Sequence, residues 1–129
     1  MAIQSELQQR FEGMVRQLSD LAHLRRLGDL FDATVLIDVE GSELYLTFKR
    51  GCIVRITPGP SAKIPWHFAL RASADALQQF WRTTPRPGYH DIFGLVKLGV
   101  GRIEGDILLL VKNLRFFKEF MALGRAQHD

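Results

Sequence analysis

Between Val100 and Phe120 the chain reads VGRIEGDILLLVKNLRFFKEF, and its hydrophobic period changes part-way along. The first six residues alternate, as a strand does, while from Ile107 the apolar residues return every three or four positions, as in a helix. The switch falls on Gly105-Asp106. Glycine permits a sharp or left-handed turn, and aspartate is a good N-cap whose charge suits a helix N-terminus. Glu104 and Asp106 are therefore read as structural rather than catalytic. A chain with this junction needs both a sheet and a helical layer.

The helix predicted over 106–123 carries two apolar stripes. Ile107, Leu110, Val111, Leu114, Phe117 and Met121 share one broad face. Leu109, Phe116, Phe120 and Leu123 form a second on roughly the opposite side, with Lys112, Arg115 and Glu119 between them. One stripe is buried in the domain's own core. The other must meet a second layer, a partner chain or a ligand.

Upstream, Ile3, Leu7, Phe11, Met14, Leu18 and Leu21 form one helical stripe over about 3–27, with Ser5 and Gln8 fitting a capping box and Gly28 a stop. FDATVLIDVE, ELYLTFKR and the stretch from Cys52 to Ile56 read as a meander with turns at Gly41-Ser42 and Arg50-Gly51. Phe31, Ala33, Val35, Ile37, Val39, Leu44, Leu46, Phe48, Cys52, Val54 and Ile56 are expected inward, with Leu36 out of phase. After the breaker TPGPSAKIP, a strand in WHFALRA is expected to put Trp66, Phe68 and Leu70 on one side. Ser73 can cap a short helix carrying Leu77, Phe80 and Trp81, and a second short helix in YHDIFGLVKLG gathers Ile92, Phe93 and Val96. The whole chain, 1–129, reads as one α+β domain: an N-terminal helix, then a sheet-and-helix body over about 31–123 with helices covering one face of a mainly antiparallel sheet.

Chemistry is thinly marked. His23, His67, His90 and His128 are far apart and lack metal-ligand spacing. His67 fits a surface or hydrogen-bonded strand position. Cys52 is the single cysteine and reads as a buried structural thiol, which excludes an intrachain disulfide and fits a reducing compartment. GLVKLGVGR lacks the lysine and hydroxyl residue of a phosphate loop, and no nucleophile elbow is present. The net charge of +3 is spread out, against a dedicated nucleic-acid binder. With no apolar core in the N-terminal segment and no membrane-length apolar run, a cytoplasmic location is expected. No metal, cofactor or catalytic residue is assigned. What remains is an excess of aromatic and aliphatic surface.

From Phe31 to Leu123 the chain resembles the sterol carrier protein 2 domain. The resemblance runs through ATVLIDV, ELYLTFKRGCIVRI, SAKIPWHFALRASADALQQFW and LVKLGVGRIEGDILLLVKNL, with Gly101-Arg102-Ile103-Glu104-Gly105-Asp106 as its most specific element. The chain departs from it in the proline-rich TTPRPGYHD connection and in ending without a peroxisomal tripeptide, which points to a bacterial, cytoplasmic member. The resemblance implies a five-stranded sheet with helices on one side, an apolar tunnel between the layers, and non-enzymatic binding or transfer of acyl chains, acyl-CoA, sterols or other lipids. It places the tunnel lining among Phe80, Ile92, Phe93, Val96, Phe116 and Phe120; Trp81 and Leu109 complete the candidate ligand-binding set. The alternative is an interaction module, closing a homodimer or serving an enzyme of lipid or isoprenoid metabolism. Transient contact with a membrane surface is compatible with the carrier reading.

Overall fold

The computed structural model describes the backbone of residues 2–61 and 63–128 and the side chains of residues 5–61 and 63–125. Helices α1 (Ala2–Ser19) and α2 (Ala22–Leu27) lead into strands β1 (Ala33–Val39), β2 (Ser42–Lys49) and β3 (Cys52–Pro58). Then come β4 (Phe68–Ala72), α3 (Ala74–Phe80), α4 (Ile92–Lys97), β5 (Gly101–Gly105), α5 (Ile107–Lys112) and α6 (Leu114–Ala122), ending in a 3-10 helix, Leu123–His128. The five strands lie in the order β3-β2-β1-β4-β5. All neighbours are antiparallel except β1 and β4, which run parallel in the register Ile37 to Leu70. Helices pack on the sheet, so the architecture is α+β with a mostly antiparallel sheet.

Both hairpin turns carry two left-handed residues, Glu40-Gly41 and Arg50-Gly51, as two-residue hairpins with right-handed strand twist demand. The first turn thus lies one residue before the expected Gly41-Ser42. The alternation of β1 and β2 holds: Val35, Ile37, Leu44, Leu46 and Phe48 join the main core. In β3 it does not. Phe48 pairs with Ile53 and Thr47 with Arg55, leaving Val54 as an extra residue. This bulge reverses the phase of the strand's start. Ile53 and Ile56 pack on the core, whereas Val54 and Cys52 are exposed. The expected buried thiol is a surface thiol.

The first helix is broken rather than continuous over 3–27. The Arg25 guanidinium takes the Leu18 carbonyl at 3.2 Å and also the Ser19 carbonyl, and the Ser19 hydroxyl donates back to Val15 at 3.1 Å. Side chains thus satisfy carbonyls that a continuing helix would use. Ser5 lies inside α1, so it caps nothing. Leu7, Phe11, Met14 and Leu18 are buried as the stripe predicts, Leu21 is partly buried, and the Ile3 side chain lies outside the described residues. Gly28 does end α2; a Cβ there would sit 2.6 Å from the Phe116 ring.

Ser73 caps α3 by accepting from Ala76 N at 3.0 Å, and Asp106 caps α5 by accepting from Leu109 N at 3.0 Å. The predicted helix over 106–123 breaks at Asn113, where φ is −121° and ψ 26°, and the Asn113 amide donates to the Leu109 carbonyl at 3.1 Å. The two-stripe reading changes with it. Phe116, Phe117, Phe120 and Met121 are all buried on one face of α6, about 140° wide at 100° per residue. The core meets the helix between the two stripes, so both are covered together. Ile107 and Val111, expected in the buried stripe, are turned outward with Leu108.

Phe11, Phe31, Phe48, Phe68, Phe116, Phe117 and Phe120 form a continuous aromatic core, with ring centroids 5.0 Å apart for Phe31 and Phe48 and 5.2 Å for Phe48 and Phe120. Trp66 is not with Phe68 and Leu70. It lies on the opposite face of the sheet, where it and Ile64 cover Leu36, Tyr45 and Ala69. The loop after β3 folds across that face and is held by the Tyr45 hydroxyl, which donates to the Ser61 carbonyl at 3.0 Å.

Candidate ligand-binding groove

The connection from α3 to α4 is long and proline-rich, yet it is pinned at several points. Arg125, from the C-terminal 3-10 helix, donates to the carbonyls of Phe80 at 2.7 Å and His90 at 2.6 Å, and its guanidinium stacks 4.5 Å from the Phe80 ring. Asp91 caps α4, accepting from Phe93 N at 2.8 Å and Gly94 N at 3.0 Å. Burial alone would raise the Asp91 carboxyl, but the Gly94 and Phe93 N–H groups and the Lys118 ammonium at 3.4 Å hold it below its usual range. Lys118 also lies 5.5 Å from the Phe93 ring centre.

Within α4, Ile92 and Leu95 point to the core and are fully buried. The spacing places Phe93, Val96 and Lys97 on other faces. Val96 is therefore not clustered with Ile92 as expected; Leu95 takes that place. Between Gly88, His90, Asp91, Phe93, Gly94, Val96 and Lys97 lies an open groove of about 540 Å³. A smaller cavity of about 170 Å³ lies where α1, β1 and α3 meet, walled by Leu7, Arg10, Val39, Leu77 and Trp81. Arg10 stacks 4.8 Å from the Trp81 ring and donates to the Gly124 carbonyl at 3.0 Å, while the Trp81 indole donates to the Met121 carbonyl at 2.8 Å.

The eight candidate residues thus divide. Phe93 and Val96 wall the groove by α4, and Trp81 walls the smaller cavity. Phe80, Ile92, Phe116 and Phe120 are each at most 1% exposed and belong to the closed core. Leu109 is partly buried against that core. The reading of Phe116 and Phe120 as facing a separate space is corrected by their ring contacts with Phe31, Phe48 and Phe11. Of the nine phenylalanines, all described, Phe93 alone is not buried. His90, Lys97 and Arg10 were missed as wall residues. The three-residue step from Ile92 to Leu95 was the available signal for His90 and Lys97; nothing in the sequence brings Arg10 to Trp81.

Among the described residues no group of three His, Cys, Asp or Glu side chains could hold a metal. His67 accepts from Thr34 N at 3.0 Å through Nδ1 and so serves the sheet. No helix among the described residues is long and apolar enough to cross a membrane.

The charges on the sheet's other face serve structure. Arg71 donates to Glu104 at 2.7 Å and to Asp38 at 2.6 Å, spanning three strands, and Arg102 reaches Glu104 at 3.0 Å. The hydrogen bond from Arg71 holds the Glu104 carboxyl below its ordinary value of 4.5. A carboxyl depressed by folding contributes stability that is fully present above its ordinary value and is lost as pH falls through the folded one. Denaturant midpoints at pH 7 should therefore be higher for the wild type than for Glu104→Gln, and the difference should shrink on acidification below that ordinary value. A difference unchanged by acid would mean that the carboxylate charge contributes nothing.

No family model matches the sequence, and no curated protein matches it. Solved structures do. The Thermus thermophilus protein TT1886, described as possibly a sterol carrier protein, superposes with a TM-score of 0.71 at 13% identity, over 91% of this chain and 85% of its own. A crystal structure of sterol carrier protein 2 gives 0.70 at 13% identity, over 90% and 93%. A ubiquinone synthesis protein, UbiJ-SCP2, gives 0.59 at 16% identity, over 95% and 96%. Over about nine-tenths of its length the chain has the fold of the sterol carrier protein 2 domain.

Proposed function

We propose that this domain binds an apolar or amphipathic small molecule of the acyl-chain or isoprenoid class, without catalysis, in the groove beside α4. The position of Phe93 carries this reading: the core fully covers every other phenylalanine, whereas Phe93 is only partly buried against it and walls an open space. The groove's volume falls in the range of small-molecule sites, about 300–1,000 Å³. Each buried methylene contributes about 0.8 kcal/mol, so a chain of about ten offers about 8 kcal/mol before ordering costs. Among the lining residues Lys97 offers an ammonium for an anionic head, and the Asp91 carboxylate of the same wall is held by Lys118 at 3.4 Å. The fold's occurrence in sterol carrier protein 2 supports the choice of ligand class.

Titration with a fluorescent fatty acid tests it. Val96→Asp should weaken binding about tenfold or more while leaving the fold intact, because Val96 is already exposed. Val54→Asp, on the distant bulge of β3, should bind like the wild type. Equal binding by Val96→Asp, or none by the wild type, would remove the groove as the site.

A second reading is supported by UbiJ-SCP2, which shares the fold over nearly the whole of both chains and is described as a ubiquinone synthesis protein. In this reading the domain is an accessory to an enzyme of lipid or isoprenoid metabolism. A ligand-free oligomer whose thermal stability rises with protein concentration would favour it.

A further inference from the structure

We propose that the small cavity between α1 and α3 is a second binding site, separate from the groove, for a neutral single-ring aromatic molecule that carries a hydroxyl group. Its volume of about 170 Å³ sets the size of the guest. An apolar protein cavity of about 150 Å³ holds one benzene molecule, so this space admits a six-membered ring and excludes a long chain. The body of the wall is apolar: Leu7 from α1, Val39 from β1, and Ala74, Leu77 and Trp81 from α3 and its C-cap. Trp81 presents an aromatic surface that is already fixed. Its indole N–H donates to the Met121 carbonyl at 2.8 Å, and the Phe11 ring meets it edge-on at 5.8 Å. A wall that need not reorganise adds little ordering cost to binding.

The polar part of the lining decides the chemistry. Glu6 and Arg10, one turn apart on the same face of α1, border the space together with the Gln78 amide. The Arg10 guanidinium is held in place by the Trp81 ring at 4.8 Å and the Gly124 carbonyl at 3.0 Å. Burial pushes its pKa down, and the Glu6 carboxylate acts against that, so the two charges lie within reach of each other. A carboxylate guest would meet Glu6, and an ammonium guest would meet Arg10; either like-charge encounter in a partly closed space is costly. A hydroxyl avoids both. It accepts from a guanidinium or amide N–H and donates to a carboxylate. The groove beside α4 differs in size, at about 540 Å³, and in the ammonium that it offers to an anion.

Titration of the isotope-labelled full chain with phenol, benzoate and benzylammonium, followed by NMR, tests this. The chain has two tryptophans, and Trp66 lies on the opposite face of the sheet, so its indole signal is an internal control. Phenol should shift the Trp81 indole signal saturably and leave both the Trp66 indole and the Val96 amide of the groove in place. Benzoate and benzylammonium should bind about tenfold more weakly or worse. Ala74→Leu, which fills the space from its α3 side, should abolish the phenol shift. Glu6 is exposed, so Glu6→Gln should fold normally, and it should raise benzoate affinity about tenfold, to the level of phenol. The proposal is overturned if phenol shifts nothing or shifts the Val96 amide instead of Trp81, or if folded Ala74→Leu binds phenol as the wild type does. It is equally overturned if benzoate matches phenol in the wild type, or if Glu6→Gln leaves benzoate binding unchanged. Should Ala74→Leu not fold, Glu6→Gln decides alone.

Discussion

Phe120→Ala is expected to destabilise the domain by about 3–5 kcal/mol, the range for a core phenylalanine. The side chain is fully buried, and its ring lies between those of Phe48 at 5.2 Å, Phe11 at 6.2 Å, Phe117 at 6.3 Å and Phe116 at 6.4 Å. These neighbours come from α1, β2 and α6, so they cannot close over the gap without moving two layers. The lost transfer energy is then joined by a cavity cost. Leu108→Ala, on the exposed side of α5, should change stability by no more than about 0.5 kcal/mol. Chemical denaturation of both variants checks the contrast. A loss below about 1 kcal/mol for Phe120→Ala, together with tighter binding of a fatty acid probe, would show that the aromatic cluster opens to ligand. The stripe read from the sequence would then be a tunnel wall after all.

Gly105→Ala should be comparably damaging, at about 3 kcal/mol or more, for a different reason. Gly105 has φ +100°, where a side chain strains the backbone, and an added Cβ would lie 2.5 Å from the His67 carbonyl oxygen and 2.9 Å from the Phe68 Cα. Both atoms belong to backbone at the start of β4. Relief would require β5 to draw away from β4 and take the Asp106 N–H, which donates to the His67 carbonyl at 2.8 Å, with it. Strain of about 1–3 kcal/mol and overpacking of about 1–3 kcal/mol add here. Gly41→Ala separates the two contributions. It has φ +90° but nothing within 4 Å of its added Cβ, so it should cost only the conformational part, about 1–2 kcal/mol. Equal losses at the two glycines, measured by chemical denaturation, would show that the close approach at Gly105 is tolerated.

The groove variants and the core variants together test how the apolar excess of this chain is divided. The sequence shows more aromatic and aliphatic side chains than one helix face needs. Eight phenylalanines fill the core instead, and the large apolar side chains most exposed at the surface are aliphatic: Leu30 before β1, Val54 on β3, Ile107, Leu108 and Val111 on α5, and Val96 and Leu98 around α4.

Much of the fold was legible because it depends on near neighbours in the chain. The strand-to-helix switch at Gly105-Asp106, the caps at Ser73 and Asp106, the stop at Gly28 and the inward alternation of β1 and β2 all follow from periods of two or 3.6 and from residues suited to turns. The resemblance to the sterol carrier protein 2 domain likewise rested on the order of these elements. Tertiary structure decided what lies between them. The break at Asn113 and the direction from which the core meets α6 turned two stripes into one buried face. The break after Ser19 uses Arg25, six residues on, and the bulge at Val54 exists only in the pairing of β3 with β2. For the site, the helix phase of α4 was readable, but the placing of Arg125 against Phe80 and His90, and of Arg10 against Trp81, joins residues 35 or more positions apart. Local period records which side chains share a face; only packing against the rest of the chain determines which face is covered.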